Sequence, residues 1–96
     1  MYKDKKIGVV IPAHNEETQI RRVIETMPDF VDQIIIVDDK SADQTVDIIK
    51  NCQKIRPYIT LLEHTVNKGA GGAMVTAYNY AKNQDLDVVV RMDGDG

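Results

Sequence analysis

The feature that most constrains the fold is an unbroken apolar run at residues 34–37, which holds three isoleucines and a valine. A strand with one face in water alternates apolar and polar side chains, whereas a strand covered on both faces is apolar at every position. Similar Val- and Ile-rich runs recur, and together they predict strands near residues 7–11, 33–37, 59–62 and 87–92. Such strands are typical of a parallel sheet with other layers packed on both faces.

Three segments with helical spacing lie between these strands, near residues 16–27, 43–55 and 70–82. In the first, Ile20, Val23, Ile24 and Met27 recur at the i, i+3, i+4 and i+7 positions of one helix face. In the third, the face is made of small residues that can lie close to a sheet: Ala70, Ala73, Met74, Ala77 and Ala81. Alternation of strands and helices predicts an α/β fold, Rossmann-like and three-layered, with a mostly parallel sheet.

Composition narrows the class of protein. Ninety-six residues make at most one domain, and a net charge of -3 without any basic block argues against a nucleic-acid partner. The single cysteine, Cys52, rules out an internal disulfide, and we expect it to be buried on the second helix. No run approaches the roughly 20 apolar residues that span a bilayer, and no signal peptide opens the chain. We therefore expect a cytoplasmic protein, on the cytoplasmic face of the membrane if a longer form carries a membrane segment.

Polar residues gather just after each predicted strand, at residues 12–17, 38–41, 64–72 and 93–95. The carboxyl ends of parallel strands meet at one edge of a sheet, which is where open α/β sheets bind their ligands. The four clusters are therefore predicted to converge on one site.

Some of these polar residues also have purely structural interpretations. Asn15 could cap the first helix, with Glu16 and Glu17 near its positive end. The two histidines lack the spacing of a zinc site. His14 is expected to line the wall of a pocket, and His64 is expected at the surface.

The loop after the second strand carries adjacent negative charges. Asp38 and Asp39 end a buried strand, so a backbone amide, a base or a cation must compensate them. Further along, Ser41 and Gln44 have the spacing of a capping box for the second helix, although Asp43 could cap it instead.

An Asp-x-Asp motif follows the fourth strand. Asp93 and Asp95 point to the same side of an extended chain, and Gly94 between them allows a ligand to approach the backbone. Carboxylates are hard ligands, and Mg²⁺ or Mn²⁺ sites often combine one or two of them with substrate phosphates and water. The motif predicts a Mg²⁺ or Mn²⁺ site at the sheet edge.

Two common phosphate-binding motifs are absent from the sequence. The first strand is not followed by G-x-G-x-x-G, and no G-x-x-x-x-G-K-[ST] occurs, which disfavours a dinucleotide-binding domain and a P-loop enzyme. The glycines at 69, 71 and 72 could form a simple flexible loop. With Lys68 beside them, they could also offer amides and positive charge to a phosphate.

Four stretches, residues 9–17, 36–45, 67–73 and 92–96, follow the order and spacing of a known family. The chain resembles the N-terminal half of family 2 glycosyltransferases, which have the GT-A fold, and looks most like their dolichyl- or polyprenyl-phosphate hexose synthase branch. One departure is Lys40, where the family usually has Gly, Asn or Asp, so a turn must form there without glycine.

The resemblance implies a role for each matching position. Pro12, His14 and Glu16 would line the nucleotide pocket near the base and ribose. Asp39 would accept a hydrogen bond from the N3–H of uracil or the corresponding edge of guanine, whereas Asp38 would brace the loop. Lys68 would lie near the base or the diphosphate. Asp93 and Asp95 would hold a divalent cation that bridges the diphosphate oxygens.

The resemblance also implies what residues 1–96 would contribute. They would form the nucleotide-sugar (donor) part of a glycosyltransferase, truncated after the Asp-x-Asp motif, with the general base and the acceptor half expected after Gly96. The acceptor would be a lipid phosphate such as a polyprenyl phosphate, or a saccharide, as in the synthesis of cell envelope polysaccharide. Transfer would proceed with inversion, and the truncated chain is expected to be inactive and to self-associate through uncovered edges.

Two alternative functions compete with glycosyl transfer as interpretations of the sequence. A sugar nucleotidyltransferase would carry a Gly-rich loop with Arg or Lys after the first strand, and residues 12–17 contain neither. A non-catalytic acidic receiver domain would place an acidic pair after the first strand and a lone Asp after the third. Here the acidic pair follows the second strand and Asp93 follows the fourth.

Overall fold

The computed structural model describes residues 1–93, and within them four parallel strands form one sheet. The strands are β1 (Ile7–Ala13), β2 (Gln33–Asp38), β3 (Ile59–Glu63) and β4 (Val88–Arg91). Their order across the sheet is β3-β2-β1-β4, and each neighbouring pair is parallel. All four predicted strands are confirmed, with ends that differ from the prediction by at most two residues.

Three helices cover the sheet: α1 (Ile20–Glu25), α2 (Thr45–Ile55) and α3 (Gly69–Ala81). Buried residues of α1 and α2 pack with one another against one face, and those of α3 pack against the other. The predicted three-layer α/β architecture is therefore confirmed.

The apolar run of residues 34–37 forms the centre of the core. Ile34, Ile35, Ile36 and Val37 are all fully buried. Ile34 and Ile36 face the α1–α2 layer, whereas Ile35 and Val37 face α3. Full burial of one such side chain contributes about 1.5–3 kcal/mol, which explains why none of the four positions between Gln33 and Asp38 is polar.

The first helix is shorter than predicted. Residues 16–27 have helical spacing, but α1 spans only Ile20–Glu25. The backbone N–H groups of Glu16 and Glu17 are directed away from a helix, because they donate to Thr45 Oγ1 and to the Asp43 carboxylate. At the other end, the Thr26 hydroxyl donates to the Arg22 carbonyl just before Pro28. Contacts between loops thus replace the helical pattern at the start, whereas the helix ends shortly before Pro28 without a contact of that kind.

Two expectations about small buried residues are confirmed. Ala73, Met74, Ala77 and Ala81 of the predicted small-residue face pack α3 against β1 and β2, whereas Ala70, the first residue of that face, is exposed. Cys52 is buried in the α1–α2 layer, and this burial raises the pKa of its thiol.

The edge strand β4 is only partly covered. Among residues 1–93 it pairs with β1 alone, and Val88 and Val90 are 40% and 44% exposed. No helix in this described part of the chain is long and apolar enough to cross a bilayer.

The connections create a switch point at the carboxyl edge of the sheet. The chain passes outward through β1, β2 and β3, and α3 then returns it to β4 on the opposite side of β1. The connection that leaves β1 runs through α1 on one face of the sheet, whereas the connection that reaches β4 runs through α3 on the other face, which opens a crevice between the ends of these two strands. Such a crevice is where open α/β sheets bind ligands.

Candidate functional site

A cavity of about 180 Å³ lies at this switch point. Its walls come from the ends of β1, β2 and β4 and the first turns of α3, with the lining residues Pro12, Ala13, His14, Glu16, Asp39, Ala70, Ala73, Arg91 and Asp93. Five of the six residues predicted to meet a nucleotide are among them. The polar clusters that follow separate strands thus converge, as predicted, although their ligand roles stay predictions.

Asp39 is the most firmly held polar residue of the cavity and is only 4% exposed. Its Oδ1 accepts the Lys68 N–H and the His64 Nδ1–H, each at 2.8 Å. Its Oδ2 accepts the Gly69 N–H at 2.8 Å. Burial by itself raises the pKa of this carboxyl, but the hydrogen bonds from Lys68, His64 and Gly69 outweigh burial and hold the pKa below its ordinary value. Asp39 is therefore an anion at neutral pH.

The start of α3 binds Asp39 with the amides that the sequence analysis considered for a phosphate. The N–H groups of Lys68 and Gly69 both donate to the carboxylate, so the phosphate interpretation does not hold for these two amides. Gly69 has φ +76°, a conformation that side chains rarely adopt and that turns its N–H toward Asp39. Lys68 contributes its backbone here, and its side chain is not among the cavity-lining groups.

The prediction that His64 lies at the surface is wrong. Its side chain is 7% exposed and lies between Asp39 and Thr76, with Nε2 2.8 Å from the Thr76 hydroxyl. The sequence did contain a signal for this contact. Asp38 and Glu63 are register partners at the ends of neighbouring strands, so the next residues, Asp39 and His64, emerge side by side.

The neighbouring carboxylate, Asp38, faces a different set of partners. It accepts the N–H and the hydroxyl of Ser41, so it braces the turn as predicted. Lys40 occupies that turn at φ +58°, the position where the resemblance called for a residue that tolerates a left-handed backbone. The two adjacent charges are thus compensated separately.

The capping box of Ser41 and Gln44 is not formed, because Ser41 is engaged by Asp38. The Asp43 carboxylate instead accepts the N–H of Thr45, the first residue of α2, at 3.0 Å. Asp43 thus bonds to the first turn of α2 from the position before the N-cap, which is Gln44, and neither cap considered from the sequence occupies the N-cap position.

Asn15 joins two loops and does not cap α1. Its Oδ1 accepts the Ala42 N–H at 2.8 Å, and its own N–H donates to Ser41 Oγ at 2.9 Å. The Glu17 carboxylate accepts the Gln44 N–H at 3.0 Å, next to the start of α2. These bonds fasten the loop after β1 to the loop after β2 and so set the direction of the cavity-lining residues.

His14 is one of the residues positioned in this way. Its Nδ1 lies 2.8 Å from the Asp39 carbonyl oxygen, which can only accept, so this nitrogen carries a proton. The other ring nitrogen, Nε2, lies 3.3 Å from Asn15 Nδ2, and His14 lines the cavity, in agreement with its predicted place on the pocket wall.

Asp93 brings an exposed carboxylate to the opposite wall. Its side chain is 64% exposed, and Arg91 NH2 lies 3.4 Å from its Oδ1. Asp95, the second predicted metal ligand, lies outside the described residues. Within residues 1–93 no group of three or more His, Cys, Asp or Glu side chains is placed to hold an ion. The oxygen chemistry of Asp93 suits Mg²⁺ or Mn²⁺, and the metal pair stays a prediction.

Arg91 is a cavity residue that the sequence analysis missed. It is the register partner of Val10, whose side chain packs in the α3 layer, so the side chain of Arg91 projects from that same face of the sheet. The strand-end position next to Asp93 was the available signal. Arg91 supplies positive charge to a cavity that otherwise contains the carboxylates of Glu16, Asp39 and Asp93.

Comparison with known proteins places this geometry in a family. Residues 8–96 match the family model for glycosyl transferase family 2. One relative is a UDP-N-acetylglucosamine–dolichyl-phosphate N-acetylglucosaminyltransferase of Methanococcus voltae, 35% identical over 97% of this chain and 42% of its own length. Another is an undecaprenyl-phosphate mannosyltransferase of Micrococcus luteus, 29% identical over 95% of this chain and 38% of the relative. The chain therefore spans less than half the length of either relative.

A solved structure supports the fold over nearly the whole chain. A mannosyltransferase from Pyrobaculum calidifontis, in complex with GDP-Man and Mn²⁺, has a TM-score of 0.86 to this chain at 24% identity. The match covers 98% of this chain and 28% of the mannosyltransferase. With the family model matching almost every residue, the chain belongs to glycosyl transferase family 2.

Proposed function

We propose that residues 1–96 form the donor-binding part of a glycosyltransferase that moves a sugar from a UDP- or GDP-linked donor. The observation that carries this proposal is the cavity at the switch point, with the anchored carboxylate of Asp39 on one side and Asp93 on the other. A nucleotide diphosphate needs a contact for its base at one end and charge compensation for its phosphates at the other. The wall with Asp39 offers the first, and the wall with Asp93 offers the second.

The base end of the donor would lie against Asp39, with Pro12, His14 and Glu16 near the base and ribose. Asp39 is an anion with only acceptor atoms, so it suits a ring N–H such as N3–H of uracil or N1–H of guanine. A hydrogen bond of this kind to a charged group contributes about 1.5–3 kcal/mol. The carboxylate is already held by three protein donors, so little ordering would remain to be done on binding.

The diphosphate end would lie toward Arg91 and Asp93, with Lys68 near the base or the phosphates. Asp93, together with Asp95, would hold Mg²⁺ or Mn²⁺. Such an ion, when bound, stabilises negative charge on the departing diphosphate. The Arg91 guanidinium adds positive charge on the same side of the cavity, where it can pair with phosphate oxygens.

Transfer would break the bond between the anomeric carbon and the phosphate oxygen, and an acceptor oxygen would attack from the opposite face with inversion. Residues 1–93 orient the donor. They contain no carboxylate that we assign as the general base, and we place that base downstream in a longer protein. An acceptor that is already an anion, such as a lipid phosphate, needs no such base.

The acceptor class is proposed from the relatives. The two described above are named for dolichyl phosphate and undecaprenyl phosphate, and they match 97% and 95% of this chain. We therefore propose a polyprenyl-phosphate acceptor, which would place the reaction at the cytoplasmic face of a membrane. A saccharide acceptor is the alternative.

Ligand-dependent melting tests this proposal. Saturation at 100 times the dissociation constant stabilises a folded protein by about 2.7 kcal/mol, so UDP or GDP with Mn²⁺ should raise the melting temperature. Acetyl phosphate, which would suit a receiver domain, should not. No shift with either nucleotide, or a shift with acetyl phosphate alone, would overturn the proposal.

The chain offers a matched control for the metal assignment. Asp85 and Asp87 have the same Asp-x-Asp spacing as Asp93 and Asp95 but precede β4 at the opposite edge of the sheet. Alanine at both 93 and 95 should greatly weaken Mn²⁺-dependent nucleotide binding in calorimetry while the chain stays folded. Alanine at both 85 and 87 should leave it unchanged. Undiminished Mn²⁺-dependent affinity in the first double variant would show that the metal assignment is wrong.

A further inference from the structure

A buried chain of polar side chains lies behind the base end of the cavity. Asp39 Oδ1 meets His64 Nδ1 at 2.8 Å, and His64 Nε2 meets the Thr76 hydroxyl at 2.8 Å. The side chains of Asp39 and His64 are 5% and 7% exposed. Thr76 in turn lies 3.1 Å from the Gly72 carbonyl oxygen, one turn earlier in α3. Neither His64 nor Thr76 lines the cavity.

The chemistry of the partners places the proton on the ring. A carboxylate oxygen can only accept, so His64 Nδ1 carries the hydrogen of the contact with Asp39. The hydroxyl of Thr76 has one proton, which it donates either to Nε2 or to the Gly72 carbonyl oxygen, and its oxygen accepts from Nε2 when that nitrogen carries a hydrogen, so the contact is possible in either protonation state of the ring. The ring is therefore held at both nitrogens and cannot turn without losing two bonds.

This arrangement leaves the two oxygens of Asp39 unequal. A carboxylate offers about four acceptor sites, two on each oxygen. Among residues 1–93, Lys68 and His64 occupy both sites of Oδ1, whereas Gly69 occupies one site of Oδ2. The remaining acceptor site therefore belongs to Oδ2, on a residue that lines the cavity.

We propose that His64, held by Thr76, is a positioning residue that saturates Oδ1 of Asp39 and directs the remaining acceptor site, on Oδ2, toward the base of the donor. This inference rests on the proposed function and deepens it. The site selects bases that present a ring N–H to Oδ2, and the selectivity depends on a histidine that does not touch the nucleotide. Removing His64 leaves an unused acceptor site on Oδ1, and the carboxylate loses the contact that fixes its rotation.

The test compares each nucleotide with its N-methylated form. Binding of UDP and 3-methyl-UDP, and of GDP and 1-methyl-GDP, is measured by calorimetry with Mn²⁺ on the 96-residue chain. Methylation removes only the ring N–H, so the ratio of the two affinities reports the contact with Asp39. We expect the wild-type chain to prefer the unmethylated nucleotide by about tenfold or more.

Three variants separate positioning from general support of the fold. His64→Leu removes the donor, and the preference should fall below about threefold. His64→Asn retains an N–H near the Nδ1 position and should recover most of the preference. Thr76→Val removes only the support of the ring and should lower the preference in the same direction, which keeps the test valid if His64→Leu does not fold.

Thr60→Val provides the matched control. Thr60 lies on β3 and accepts a hydrogen bond from the Gln33 side chain, away from the cavity. This variant should retain the wild-type ratio. A histidine with a merely structural role would weaken both nucleotides equally and leave the ratio unchanged.

The outcomes distinguish this inference from the proposed function. If the wild-type chain binds neither UDP nor GDP, the proposed function fails and the inference fails with it. If it binds and prefers the unmethylated form, but His64→Leu and Thr76→Val keep that preference, the proposed function stands and the role of His64 is overturned. Loss of the ratio in both, with recovery in His64→Asn, supports the inference.

Discussion

Replacing Asp39 with asparagine changes one oxygen atom to an NH₂ group and should affect stability and binding together. The amide keeps one carbonyl oxygen, which can take the place of Oδ1 and accept from Lys68 and His64. The NH₂ group then replaces Oδ2 and faces the Gly69 N–H, so two donors oppose each other. A buried donor left without an acceptor costs about 1–3 kcal/mol. In a domain of this size each kcal/mol lowers the melting temperature by about 4–8 °C, so we expect a fall of roughly 8–16 °C for about 2 kcal/mol.

The same NH₂ group would occupy the acceptor position proposed for the base. Asp39→Asn should therefore bind UDP or GDP about tenfold or more weakly in calorimetry with Mn²⁺, below the melting transition. Asp32→Asn is the matched control, because Asp32 accepts the Ile7 N–H at 2.7 Å at the opposite edge of the sheet. It should lower the melting temperature without changing nucleotide affinity. Equal UDP and GDP affinities for the wild type and Asp39→Asn would remove Asp39 from the pocket.

Three further predictions concern pH, helix packing and association. The pKa of three carboxylates lies below its ordinary value: in Asp39 and Asp43 burial raises the pKa but hydrogen bonds outweigh it, and in Asp32 hydrogen bonds from the N-terminal ammonium and the Ile7 N–H lower it. The unfolded chain therefore binds more protons than the folded chain below about pH 4. The stabilisation from these carboxylates should be fully present above that pH, and the free energy of unfolding measured in denaturant titrations should fall below it. Gly71→Ala should stabilise α3 by up to about 1 kcal/mol in the same assay, because no described atom lies within 4 Å of the added Cβ. Gly72→Ala should destabilise α3, because its Cβ would lie 2.5 Å from Lys68 Cβ. Equal effects of the two substitutions would refute this prediction. Because Val88 and Val90 are exposed on an edge strand, the 96-residue chain should self-associate in sedimentation, and a strictly monomeric, highly stable chain would contradict this.

The layers of the fold were predictable because burial on both faces leaves a direct mark on the sequence. The strand residues 34–37 are buried and apolar at every position, and the small side chains on one face of α3 allow that helix to lie close to the sheet. Convergence of the strand-end loops then follows from parallel topology alone. These inferences need only the period of the apolar residues and the order of the elements.

The partners of individual polar residues were harder to predict, because they depend on which loops meet across the sheet. Asn15 and Ser41 both have the spacing of helix caps, yet both take part in bonds between loops: the Asn15 N–H donates to Ser41 Oγ, and Asn15 Oδ1 accepts the Ala42 N–H. His64 was misplaced for the same reason, since its partner lies on the adjacent strand end. Local spacing competes with contacts between residues some 25 positions apart, and in these loops the distant contacts prevail.

Nuclear magnetic resonance mapping of nucleotide binding tests the central claim most directly. Amide ¹H–¹⁵N spectra of the chain would be recorded during titration with UDP or GDP in the presence of Mg²⁺. Saturable shift changes are predicted at the carboxyl edge of the sheet, around His14, Gly69 and Arg91, with the amides of Ile7 and Gln33 at the opposite edge unchanged. Saturable changes centred on the opposite edge, or no saturable change with either nucleotide, would contradict a donor site at the switch point between β1 and β4.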